Sequence, residues 1–192
     1  MQKIEEIVSE FGGVVVLGQI ENKALQQRII RAGKRGVLVR VRKGVYMLPE
    51  ALATTMIDVE NIIPGGVVCL YSAFRYYGLS TQVPAATCVA IPANKKVRLP
   101  AFPLIDLYYW QPKYLTIGVS QVEIEGKTIR ITDLERTVCD AIRYRNKIGL
   151  DVCGEVLNGY LAKPERNIGL LNDYARQLRI HKVLTSYMET RL

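Results

Sequence analysis

RAGKRGVLVRVRKGVY, residues 31–46, carries six Lys or Arg and no acid, with a valine-rich run threaded between the charges. Branched apolar residues at alternate positions predict a strand with one face turned inward. A strand that only fills a core has no need of such unbalanced charge, whereas one lying along a polyanion does. Val37–Val41 and Val45–Leu48 read as the arms of a hairpin around Arg42, Lys43 and Gly44, with Gly44 suited to the positive φ of a three-residue loop. Val37, Val39 and Val41 are then expected to pack inward, while Arg40, Arg42 and Lys43 stand on the other face and at the tip.

Upstream, Ile4, Ile7, Val8 and Phe11 recur at helical spacing, and Gly12-Gly13 stops that helix. VLGQIENK, residues 16–23, reads as a short second helix. ALQQRIIRAGKR, residues 24–35, reads as a third, closed by Gly36. On this third helix Leu25, Ile29 and Ala32 share one sector, and Gln27, Arg28, Arg31, Lys34 and Arg35 gather on another. Helix, short helix, basic helix and basic hairpin predict a winged helix-turn-helix over residues 1–49, with Gln27, Arg28 and Arg31 reading bases and the hairpin positioning the protein on phosphates. The charge distribution agrees. Residues 1–49 hold nine bases and four acids, residues 50–192 hold seventeen and fourteen, and Ala24 to Leu48 has seven bases without an acid.

Pro49 ends this unit, and residues 50–192 are expected to form a mixed α/β domain with a helical tail, giving an α+β chain of two domains. EALATTMIDVENI is helix-like, PGGVVCLYSAFRYYGLS reads as a turn and a helix stopped by Gly78, and TCVAIP and LIDLYYW read as strands. QVEIEGKTIRI reads as a hairpin turning at Gly126-Lys127, which pairs Ile124 with Ile129, Val122 with Ile131 and Glu123 with Arg130. Thr132 to Glu135 fits a capping box, Leu134, Val138, Ala141 and Ile142 form a buried stripe, and Pro164 suits a helix's first turn.

Little catalytic chemistry is visible. His181 is the one histidine, so histidine triads and multi-histidine metal sites are excluded, and no phosphate-binding glycine loop has the right spacing. Cys69, Cys88, Cys139 and Cys153 lie in apolar runs without a Cys-x-x-Cys pair and are expected to be buried thiols. Asp106 with Glu125 and Lys127 resembles the acid and Glu-x-Lys set of an Mg²⁺ nuclease, but a hairpin tip is a poor place for a catalytic set, and a turn with solvated charges is the plainer reading. The Tyr76-Tyr77 and Tyr108-Tyr109 pairs read as core packing rather than as stacking platforms for bases. The expected chain is therefore not an enzyme and uses no cofactor or metal. The N-terminus does not read as a signal peptide and no run is long and apolar enough to span a membrane, which points to a cytoplasmic protein.

The wing RKGVY, the helix bearing Ser72, Ala73, Gly78 and Leu79, the strand CVAIP, and the segment Glu135, Arg136, Thr137 and Asp140 together resemble the AbiEi family of type IV antitoxins over nearly the whole chain. The resemblance implies a bacterial regulator that represses its own promoter through double-stranded DNA, at sites expected to be inverted repeats. It also implies a second domain that counters a nucleotidyltransferase-like toxin without a stable complex. Ser72, Gly78, Glu135, Arg136 and Asp140 are the motif residues of that antitoxin domain. A winged-helix transcription factor answering to a small molecule, and the Mg²⁺ nuclease, remain as alternatives.

Overall fold

Apolar side chains gather into separate cores along the chain, one on a small sheet and two on the opposite faces of a larger one. The computed structural model describes residues 3–52, 59–84, 86–99, 104–124 and 127–189, without the side chains of Val41, Arg42, Leu52 and Asn61. In the first part, helix α1 (Ile4–Glu10) leads to strand β1 (Val14–Val16), a 3₁₀ turn (Leu17–Gln19), helix α2 (Lys23–Lys34) and strands β2 (Val39–Arg42) and β3 (Val45–Met47). The strands form an antiparallel sheet in the order β1-β3-β2.

Residues 16–23 are not the expected helix. Val14 to Val16 take an extended path instead, which suits three successive β-branched residues, and pair along β3 with Val14 opposite Met47 and Val16 opposite Val45. The following 3₁₀ turn is bound to α2 by Gln26, whose Nε2 donates to the Leu17 and Ile20 carbonyls at 3.0 and 2.7 Å. The basic hairpin also differs in detail. Its loop is Lys43-Gly44, two residues rather than three, with Gly44 at φ +81°. A register shift between Arg40 and Arg42 sets Arg40 opposite Tyr46 and Arg42 opposite Val45. Such a bulge breaks strict alternation. The inward position falls to Leu38, which is buried, while Val37 and Val39 are half-buried and the Val41 side chain lies outside the described residues. The core here joins Val8, Val15, Ile29, Ala32, Leu38 and Tyr46, and all its members fall within residues 4–48.

The second part follows a 3₁₀ turn at Pro49–Leu52. It contains α3 (Val59–Ile62), β4 (Val67–Val68), α4 (Leu70–Tyr76), β5 (Thr87–Pro92), β6 (Ile105–Trp110), β7 (Val119–Ile124), β8 (Lys127–Thr132), α5 (Leu134–Ile148), α6 (Leu150–Leu161), α7 (Ile168–Gln177) and α8 (His181–Glu189). A mixed sheet runs in the order β6-β5-β4-β8-β7. Period-two alternation divides it: Val67, Cys88, Ala90 and Trp110 pack with α5, α6 and α7, whereas Val68, Val89, Ile91, Ile129 and Ile131 pack with Val59 and Ile63. The protein is thus mixed α+β. Among the described residues no helix is long and apolar enough to cross a membrane.

Several expectations shift here. Of the helix-like run 50–62, residues 53–58 lie outside the described residues; the described ends belong to the 3₁₀ turn and to α3. Val67-Val68, expected in a turn, is the central strand β4. The β7–β8 hairpin is offset by two residues, pairing Val122 with Ile129, Ile124 with Lys127 and Gln121 with Arg130. Because two is the period of a strand, the apolar face survives that offset. Glu125 and Gly126, at the tip, lie outside the described residues. Pro164 sits in the loop before α7, whose N-cap is Asn167.

Helix α5 is capped by Asp133, not Thr132: Asp133 Oδ1 accepts from the Arg136 amide at 2.8 Å, and Oδ2 accepts from the Tyr174 hydroxyl at 2.9 Å. Glu135 does not return to the cap. It accepts from the Asn167 amide at 2.8 Å and the Tyr160 hydroxyl at 3.2 Å, tying α5 to α6 and α7. One turn in, the fully buried Arg136 donates from Nε to Asp140 Oδ1 at 2.9 Å, and from Nη1 to the Tyr114 and Ile117 carbonyls at 2.8 and 2.6 Å. Its guanidinium lies 4.5 Å from the centroid of the Trp110 ring. Gly118 lies against the same side chain, and a Cβ there would stand 2.8 Å from Tyr174 Cε2.

Removing one member of a buried ion pair strands the other, at a cost of about 3–5 kcal/mol. Arg136→Ala is therefore expected to lower the unfolding free energy measured by urea titration by that much, and Arg136→Lys to recover little, because an ammonium lacks the planar fork that reaches two carbonyls and a carboxylate. Near-complete rescue by lysine would refute this account.

Asp140 Oδ2 is buried with no hydrogen-bond partner among the described residues. Burial raises the Asp140 pKa from 3.8 to about 6, against the lowering effect of Arg136. The native state therefore holds this proton where the unfolded chain has lost it, so the contribution is full below the unfolded pKa and is lost as pH rises to about 6. The stability of the wild type relative to Asp140→Asn should fall between pH 4 and 6 and level off above; a rise across that window would show the sign to be wrong.

Candidate nucleic-acid interface

Helix α2 begins where Asn22 Oδ1 accepts from the Ala24 and Leu25 amides at 2.9 and 3.1 Å. It ends where Gly36, at φ +77°, lets its own amide reach the Gly33 carbonyl and the Val37 amide reach the Ala32 carbonyl. That pair of bonds is a Schellman closure, and it turns the chain directly into the hairpin. Ile29 and Ala32 are buried, Leu25 is half-buried, and Gln27, Arg31, Lys34 and Arg35 are exposed. Arg28 is half-buried.

Gly33 costs helix propensity, and the structure shows what it permits. The ring of Tyr46, buried in β3, lies on the helix at this point, and a Cβ on Gly33 would overlap Cε1 and stand 2.7 Å from Cδ1. Hairpin and helix are therefore held in one geometry by a glycine-to-tyrosine contact. Tyr46 was not among the residues expected to matter, although an unexplained glycine inside a basic helix was the signal for such a neighbour.

The cations divide over two grooves flanking α2. On the α1 side, a groove of ≈ 580 Å³ is lined by Lys3, Arg28, Arg31 and Arg35, with Glu5 the one acid. On the hairpin side, a groove of ≈ 420 Å³ is lined by Lys34, Arg40, Lys43 and Tyr46. Of the expected DNA-binding residues, Gln27 stands on the ridge between the grooves, and the Arg42 side chain lies outside the described residues. Lys3 joins the set from the start of α1, a residue that charge counting within α2 and the hairpin passes over.

The second group of expected residues lies inside the protein. Ser72 is buried and its Oγ accepts from the Cys88 amide at 2.9 Å, Gly78 closes α4 at φ +61°, and Glu135, Arg136 and Asp140 form the buried network at the start of α5. The four cysteines are free and buried. Burial pushes the Cys69 and Cys88 thiols up, and the Cys69 amide, just past β4, donates to the Cys88 carbonyl at 3.0 Å. Asp106 and Lys127 are not brought together: β5 and β4 separate their strands, a lateral distance of about 14 Å. Glu125 lies outside the described residues. Among the described residues no group of three acids, cysteines or histidines is placed to hold a metal. Of the tyrosines expected in the core, Tyr77 and Tyr108 are half-buried while Tyr76 and Tyr109 are exposed.

No protein-family model matches this chain, and no protein of curated function shows significant sequence similarity to it.

In an ordinary exposed helix, Gly→Ala stabilises by about 1 kcal/mol. At residue 33 the same change is expected to destabilise by about 1–3 kcal/mol, because the added methyl must displace a buried ring. Chemical denaturation of Gly33→Ala checks the sign; a stabilised variant would mean that the ring moves aside freely.

Proposed function

We propose that this chain is a bacterial, cytoplasmic double-stranded DNA-binding protein whose residues 1–49 form a winged helix-turn-helix, and that it serves as autorepressor and antitoxin of a type IV toxin–antitoxin system. The observation that carries the DNA reading is the division of duties on one scaffold. Apolar side chains of α2 and the hairpin close a core, while cations occupy the outward ridge and both flanking grooves, with Glu5 the one acid lining them. A phosphate backbone rewards that arrangement through counterion release. The order helix, strand, helix, strand, strand with the sheet β1-β3-β2 supports the winged reading, and a core confined to residues 4–48 supports a boundary near residue 50.

The antitoxin part rests on the resemblance. Ser72, Glu135, Arg136 and Asp140, which carry it, are buried anchors of the second core, so a likeness at these positions is a likeness of architecture. In this reading residues 50–192 counter a nucleotidyltransferase-like toxin with no stable complex needed, and the operator is the chain's own promoter.

If about five of the seven bases between Ala24 and Leu48 meet phosphates, log K should fall with log salt at a slope of about −4 to −5. Titration of a duplex carrying the promoter region at several salt concentrations measures it, and a flat response removes the polyanion reading. Co-expression with a nucleotidyltransferase-like product of the neighbouring reading frame tests the rest: rescue of growth is expected, and continued toxicity would refute the antitoxin role.

A further inference from the structure

The ridge of α2, as distinct from its flanks, has a composition suited to reading bases. At 100° per residue, Gln27 and Lys34 fall within about 20° of each other and about 170° from the mean direction of the buried Ile29 and Ala32. They are the part of the helix that stands furthest from the core, and both are exposed. Arg28 and Arg35 lie only about 70–90° from the core direction, down the side facing α1, where with Lys3 they line the larger groove. Arg40 and Lys43 line the groove on the opposite flank, and Lys34 stands where the ridge borders that groove. A helix entering a major groove presents its ridge to the base edges and its flanks to the two phosphate backbones.

The side-chain chemistry follows the same division. Gln26 has both its amide hydrogens engaged by the Leu17 and Ile20 carbonyls, but the neighbouring Gln27 amide points outward with a donor and an acceptor on offer. That pair matches N7 and the N6 amino group of adenine, which a guanidinium cannot match. Lys34, a donor only, matches O6 and N7 of guanine. Seven residues of helix separate the two, about 10 Å along the axis, or about three base-pair steps.

We propose, resting on the DNA reading above, that Gln27 and Lys34 are the base-reading residues of this chain, for an adenine and a guanine about three base pairs apart in each site, and that Arg28 and Arg35 hold a phosphate backbone without reading sequence. This departs from the expectation that Arg28 and Arg31 share the reading with Gln27, since both line the α1-side groove.

Selection of bound sequences from a random duplex library by the full-length chain tests it, followed by titration of the winning duplex and its single-base-pair variants. Wild type should enrich an A·T and a G·C pair at that spacing. Gln27→Ala should lose roughly five- to a hundred-fold discrimination at the adenine alone. Gln27→Arg should move the preference there to guanine, and Lys34→Ala should relax the other position. Arg28→Ala should weaken all duplexes by a similar factor and leave the preferences unchanged. Full discrimination retained in Gln27→Ala, or lost in Arg28→Ala, would overturn the assignment, as would tight binding without enrichment. Failure of the wild type to bind any duplex would instead overturn the DNA reading beneath it. Thermal unfolding of each variant controls for folding, which these outward residues should leave unchanged.

Discussion

A fully buried guanidinium must be surrounded by acceptors before the chain around it can pack, and Arg136 imposes that condition on the larger part of this protein. Its partners come from three stretches: Asp140 one turn along α5, the Tyr114 and Ile117 carbonyls from the segment between β6 and β7, and the Trp110 ring at the end of β6. Both carbonyls lie at or just past the end of the 3₁₀ turn Pro112–Tyr114, where no strand ladder would otherwise satisfy them. The arginine thus does for this loop what a strand neighbour does for a sheet. Its partner Asp133 and neighbour Glu135 extend the same anchoring to α7 and α6, so one turn of helix fixes four elements. Burial of an ion pair adds little net stability, but its geometric demands are strict, and they select one arrangement of the helices on the sheet.

The basic part is organised by the opposite economy. Its core is small, its sheet has three short strands, and its cations are kept at the surface rather than drawn inside. What gives it a defined shape is close approach: the Tyr46 ring on Gly33, the Gln26 amide on the 3₁₀ turn, and the Schellman closure at Gly36. None of these carries a charge. A surface that must hold like charges near each other repels itself, and neutral contacts beneath it can be strong without adding to the field.

Sequence pattern revealed the elements whose chemistry is local. Helix α2 follows from its apolar stripe and Gly36, β5 and β6 from their apolar runs, and α5 from the stripe of Leu134, Val138, Ala141 and Ile142. The departures arise where a distant partner decides. Val14 to Val16 extend because β3 is there to pair with them, and two residues of β4 become a strand because they lie between β5 and β8. Leu38 takes the place assigned to alternating valines because a bulge at Val41 shifts the register. Arg136 and Asp140 are indistinguishable in sequence from a solvated helical pair at i, i+4, and nothing local announces that both are buried. At the candidate interface, the acid-free run identified the cations, but their separation into ridge and flanks depends on where α1 and the hairpin lie, and Lys3 enters only through that placement.

The position of β4 has a consequence for the order of assembly. It pairs antiparallel with β5, close by in the chain, and parallel with β8, where Val68 meets Ile131 across a long stretch of sequence. Loop closure on that scale is slow, and parallel pairing offers no hairpin to shorten it. During synthesis, the first sheet has all three of its strands as soon as residue 47 has emerged. The second cannot close its centre until β8 is made, and meanwhile Val67, Val68 and Val89 present an open apolar edge of the kind that chaperones capture. The chain therefore emerges from the ribosome with its basic surface ready to form well before its larger core can be completed.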